Sequence, residues 1–477
     1  MRNFIALLFG AALLVAATIP VTTPGEPAPL PVLDAVAENL ELVGHSSLGD
    51  RGMNAALAVH GDVAYVGSRT DGKPRDENAL GAGILIVDVS DPTAPTVVGE
   101  VDGTGREGET SREMRIWPEQ DLLIVQNLTS NCSPLIHACS VRGPGDNFTF
   151  YDIAGENALD PQPVAEYRTD HNPHEFFLWV DPADRDRALL YVSGTSDNRF
   201  MVVDVSGARE GTFETLVDMD LGWLAPGGDL HSMTPTVDGR TTYFAYLTGG
   251  FYVADTSEVA EGHPSPTVAL LTPPDAAPTW PGPGAHSALE IPGTGMALVT
   301  DEVYGEALRF LGGHGCPWGW VRMLDVSNPA APEVVNEYKL PQNEADFCDT
   351  DAPRLTSSYS AHNPTVTEDL AFISWHAAGL QVLDLADPRN PAPAGQFVPS
   401  PLPLVLQEDP ALTSGQDKVA MWSFPIIKDG LVYVVDIRNG LYILEYTGPR
   451  AETVAAIDFL EGNSNLGDAL ELGQPAE

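Results

Sequence analysis

The chain has 477 residues, 43% of them hydrophobic, with 67 acidic side chains against 24 basic ones and a net charge of −43. A surface of that sign repels nucleic acid and anionic lipid, which excludes both as partners. Disorder is excluded as well, because the apolar residues recur in short, regular runs.

The first element is "MRNFIALLFGAALLVAATIP". It places Arg2 before an apolar run from Phe4 to Ala17 and then small residues, the order of a secretory signal, over residues 1–25. Only one basic residue precedes the run, so an uncleaved anchor is the alternative reading. No cysteine near the cleavage region offers a lipid attachment point. A Pro-rich spacer follows at 26–38 ("VTTPGEPAPLP" spans its start). No later stretch is long and apolar enough to span a bilayer, so a secreted protein without a membrane span after cleavage is expected.

Beyond the spacer one phrase returns seven times. "GILIVDVSDPTAP" at Gly83 comes back as "FTFYDIAGE" at Phe148, "FMVVDVSGA" at Phe200 and "FYVADTSEV" at Phe251. It continues as "VRMLDVSNPAAP" at Val321, "LQVLDLADPRNP" at Leu380 and "LYILEYTGP" at Leu441. Each copy is a strand closed by an acidic residue: Asp88, Asp152, Asp204, Asp255, Asp325, Asp384 and Glu445. Their simplest role is to form turns by accepting nearby backbone N–H groups. Another strand precedes each copy, a short one follows most of them, and one more opens each unit. Seven units of four strands with no long helix predict an all-β, seven-bladed β-propeller over residues 39–449. The last unit has no outer strand of its own. "NLELVGHSS" from Asn39 resembles an outer strand without its unit, so this N-terminal strand is expected to complete the last blade. Residues 450–477 form an acidic C-terminal tail whose role cannot be read.

The "LIVDVSDPTAP" phrase resembles the LVIVD repeat of exported bacterial propeller proteins, over roughly residues 40–449. The resemblance implies the fold and no single reaction.

The opening strands align without a gap on the turn that ends them. "HEFFLWVD", "HSMTPTVD", "HSALEIPG" and "HNPTVTED" begin at His174, His231, His286 and His362, and "NAALAVHG", "EMRIWPEQ" and "WSFPIIKD" continue the register from Asn54, Glu113 and Trp422. In a propeller the start of each innermost strand faces the axis, so these residues form a ring at the channel mouth. Four imidazoles on one axis suit one transition-metal ion: copper, iron, zinc or manganese. Glu113 on the same ring would complete the coordination or orient a histidine. The competing reading is a polar channel lining. Carotenoid cleavage oxygenases and selenium-binding propellers of the methanethiol oxidase type are similar in this constellation alone, as a likeness of geometry.

Strand direction puts the inserted loops from Ser68, Asn127 and Asp301, and the connections at 342–361 and 401–420, on the same face. Asp301, Glu302, His376 and His171 are the polar residues to watch there. The four cysteines form two local pairs, Cys132–Cys139 and Cys316–Cys348, expected as disulfides in an exported chain because neither has zinc-ligand spacing. Two functions remain open. One is a metal-dependent oxidoreductase acting on a small organic molecule. The other is a non-catalytic extracellular propeller that binds a protein or glycan with the same face. A monomer is expected in either case.

Overall fold

The computed structural model describes residues 35–69, 83–101, 110–128, 147–194, 197–225, 228–303, 319–349, 358–409, 412 and 418–473. The expected leader, most of the spacer, the side chains of all four cysteines and most of the inserted mouth loops lie outside the described residues.

Seven antiparallel units follow one another along the chain. Their inner strands, which define blades 1 to 7, are Asn54–His60, Thr110–Trp117, Pro173–Asp181, Asp229–Pro235, Ser287–Ile291, Pro364–Val366 and Ile426–Lys428. Within a blade, the three inner strands are covered on both faces by neighbouring blades and therefore read as continuous apolar runs. Ile84–Asp88 is buried up to its closing acid, whereas every residue of the outer strand Thr96–Val101 is exposed or half-buried. The cores lie between blades: Tyr65 and Ile86 of blade 1 pack on Met114 and Leu123 of blade 2. Leu57 and Val66 of blade 1 likewise pack on Tyr433 and Ile443 of blade 7. The ring is therefore continuous across its seam.

That seam is the one expected from the sequence. Leu40–Ser46 pairs antiparallel with Gly440–Tyr446, from Leu40 opposite Tyr446 to Ser46 opposite Leu441, as the outer strand of blade 7. Val36–Glu38 adds a fifth strand to blade 6. The repeated acids cap turns as the repeat predicts. Asp88, Asp204, Asp255, Asp325 and Asp384 each accept a backbone N–H two residues on, at 2.8–3.1 Å.

The tail has a defined place. After a short helix, Ala451–Ala455, the strand Phe459–Glu461 pairs with the inner strand of blade 7 on its axial side. The chain then bridges to blade 3 through Leu178 and Ser464. The Asn465 carboxamide accepts from the Val180 N–H at 2.8 Å and donates to the carbonyls of Val180 and Val237. The tail thus crosses the axis at the far ends of the inner strands. Gly462 is required there, since a Cβ would meet the Pro364 carbonyl oxygen at 2.0 Å. No helix among the described residues is long and apolar enough to cross a membrane.

Candidate metal centre

The propeller brings the predicted ring residues together at the end of the channel opposite the tail. A void of about 20 Å³ is lined by Arg112, Glu113, His174, Glu175, His231, His286, Glu302, His362 and Trp422. Asn54, the seventh ring position, is absent from that lining.

Local backbone geometry aims the histidines. His174 and His231 each sit at a register shift, between Pro173 and Glu175 and between Leu230 and Ser232. A bulge there turns one side chain out of the strand alternation. His286 and His362 stand just before their strands, donating their N–H groups to Thr300 and Ser374. Hydroxyls from the preceding blade hold the ring carbonyls: Ser193 donates to His231, Ser232 to His286 and Thr300 to His362, at 2.5–2.7 Å. Such buried bonds fix the ring backbone.

The imidazoles form a chain of contacts. His174 Nε2 lies 2.9 Å from His231 Nε2, and ring centroids are 3.9 Å apart for His231 and His286 and 4.5 Å for His286 and His362. His376 joins from the loop after the second strand of blade 6, 5.2 Å from His362 and parallel to Trp422. Its φ of 28° is a strained value for a residue with a Cβ, held by the bond from its ring to Ser358. Glu302 faces three rings at once: His286 Nε2 at 3.4 Å, His362 Nε2 at 3.5 Å and His376 Nε2 at 3.4 Å. Glu175 lies 3.7 Å from His231 Nδ1 and 4.0 Å from His286 Nε2.

Protonation follows from burial. Desolvation lowers His231 to about 4 and His362 to about 3, and with the surrounding rings it lowers His286 well below its ordinary value. The imidazoles of His231, His286 and His362 are therefore neutral near pH 7. His362 donates its Nδ1–H to the Trp422 carbonyl at 2.7 Å, which leaves the Nε2 lone pair facing Glu302. Burial raises Glu302, but the positive charge of His362 when protonated and the nearby His376 ring outweigh it, and the carboxyl lies below its ordinary value. Burial and the charge of Glu113 raise Glu175 well above its own.

Among the described residues, His231 Nδ1, His286 Nε2, His376 Nε2 and Glu302 Oε1 are buried polar atoms with no hydrogen-bond partner. Each such atom costs about 1–3 kcal/mol if nothing meets it. Two overlapping sets have metal-ligand spacing, Glu175–His231–His286 and His286–Glu302–His362, with donor atoms within 4.8 Å of one another. Neutral nitrogens around one ionised carboxylate are the donor set a divalent transition metal prefers.

The other predicted residues fall elsewhere. Glu113 lines the void, but its carboxylate takes a bond from Arg115 at 3.1 Å, so the carboxylates beside the rings are Glu175 and Glu302. Asp301 turns away to Arg322 and Trp280, and burial raises it to about 7 against the pull of Arg322. His171 sits off the axis between Asp197 and Asp218. Glu175 went unread, although it directly follows His174 in "HEFF"; the ring register counts only one residue per blade.

A seven-bladed β-propeller with a buried imidazole–carboxylate cluster on its axis is the class defined by fold and site. Residues 79–103 match the LVIVD repeat, and the chain is a propeller that carries it. No curated protein matches the sequence. Among solved structures, the chain is similar to the β-propeller domain of Myceliophteria thermophila Cps50 (Swd1) at 10% identity and a TM-score of 0.46, covering 85% of this chain and 98% of that one. It is similar to Chaetomium thermophilum Sqt1 at 13% identity and the same TM-score, covering 85% and 86%. A second structure of that protein gives 14% identity and TM-score 0.46, covering 84% and 86%.

Proposed function

We propose that this propeller is an exported metalloprotein that holds one transition-metal ion on its axis and serves redox or oxygen chemistry on a small organic molecule at the loop-rich mouth. The observation that carries the reading is the set of buried, unpartnered donor atoms on His231, His286, His376 and Glu302. His286 reaches both carboxylates with one nitrogen, and a single lone pair serves one ion, so the two overlapping sets describe one centre. Ionised Glu302 offsets half of a divalent charge, and the neutral imidazoles leave the other half for Glu175, a bound anion or reduced oxygen. Copper, iron, zinc and manganese all suit these donors.

A second reading is favoured by the size of the void. At about 20 Å³ it admits an ion or one water and no organic molecule. The metal would then be closed and structural, and the mouth would bind a protein or glycan.

The test is elemental analysis of protein purified without a polyhistidine tag, followed by oxygen-uptake and azide-binding measurements on the loaded form. One ion per chain is expected in the parent, with most of it lost in His286→Ala or His362→Ala and retained in His171→Ala. Glu302→Gln should weaken retention more than Glu113→Gln. Protein that stays empty after incubation with all four metals would reduce the cluster to a channel lining. A metal blind to both azide and oxygen would favour the structural role.

A further inference from the structure

A second cavity lies at the opposite end of the channel, where the tail crosses the axis. It is open, has a volume of about 750 Å³, and falls between the far ends of the blade 4 and 5 inner strands and the tail. That volume is in the range that encloses a small organic ligand. Tyr243, Val253 and Leu289 form the blade side of its apolar wall, and Leu460 and Leu472 form the tail side.

Its charge is one-sided. Three carboxylates line it, from Asp238, Glu290 and Glu461, with no lysine, arginine or histidine. Asp238 is engaged locally, accepting from the Thr236 hydroxyl at 2.7 Å and the Arg240 N–H at 3.0 Å. Arg115 acts on Glu461 from the axial side. Glu290 is different: it is only partly exposed, its backbone is paired in the sheet opposite Ala297, and its side chain makes no hydrogen bond or ion pair among the described residues. Burial and then Asp238 raise its carboxyl above the ordinary value, so the site is short of a counter-charge. A carboxylate partly shielded from water and set beside a second carboxylate is unfavourable, and an incoming cation relieves that cost.

We propose that this cavity binds an organic cation, an ammonium head on an apolar body, with the head at Glu290 and the body between Leu289 and the tail leucines. The site is separate from the axial cluster and does not depend on a metal there. Its ligand class follows from charge and shape together: an anion meets three carboxylates, a neutral molecule leaves Glu290 unpaired, and a fully hydrophilic cation wastes the apolar wall.

Calorimetric titration of the full chain with n-octylammonium, n-octanol and n-octanoate at physiological salt tests it. The ammonium should bind roughly tenfold or more tightly than the alcohol, as a charge-assisted bond requires, and octanoate should not bind. Glu290→Gln should bring ammonium binding down to the level of the alcohol. Leu472→Trp, which narrows the cavity from the tail, should weaken ammonium and alcohol alike and gives a second readout should Glu290→Gln misfold. Equal binding of ammonium and alcohol would overturn the proposal. So would ammonium binding unchanged in both variants, which would mean attraction to the acidic surface alone.

Discussion

His231 shows how burial sets the protonation of the axial cluster. Desolvation takes it from an ordinary value near 6.5 to about 4. Between those values the unfolded chain carries a proton that the folded chain refuses, so stability from this residue is fully present above pH 6.5 and is lost as pH falls toward 4. The loss amounts to about 3 kcal/mol at the low end of the window. In metal-free protein, His231→Gln should therefore gain stability relative to the parent as the pH is lowered through that window. Urea midpoints on either side of it measure the change, and a constant difference would contradict the neutral ring. His174, His231, His286 and His362 were legible because each holds the same place in its repeat. His376 and Glu302 were legible only as loop residues, since nothing local shows that two loops from different blades meet over one carboxylate. Glu175 was hidden by a bulge: plain strand alternation would send it away from its neighbour His174.

The terminal elements carry the closure. Leu40–Ser46 covers the edge of blade 7, and without it the Gly440–Tyr446 strand would present unpaired backbone groups. Deleting residues through Ser47 should lower the melting temperature far more than deleting residues 1–30, and equal values would contradict this account of the seam. The tail makes an independent test. Asn465 serves the Val180 N–H, the Val180 carbonyl and the Val237 carbonyl at once. Asn465→Ala leaves these buried groups unmet and should cost on the order of 2 kcal/mol. Hydrogen exchange at Val180 should accelerate in that variant and stay slow at Val66, in blade 1. The N-terminal strand was readable because it resembles the outer strand of every other unit. The tail was not, since it belongs to no repeat and its partners come from blades 2, 3, 4, 6 and 7.

Over the whole molecule, −43 charges repel one another across a closed ring. Added salt screens them within a Debye length, about 10 Å at 0.1 M and about 3 Å at 1 M. The melting temperature should rise as sodium chloride increases over that range, and a falling one would mean that attractive ion pairs outweigh the repulsion. What the sequence determined by itself is the architecture. A blade cannot bury its two apolar faces alone, so seven copies of one strand phrase must stack on each other and close, and register within the copy carries four histidines to one axis. Only the tertiary structure decided what else arrives there. The bulges at His174 and His231, the strained His376, the Glu302 carboxylate and the tail across the far end all depend on contacts between segments tens to hundreds of residues apart. Those contacts exist only once the ring is closed, and they leave no period in the chain.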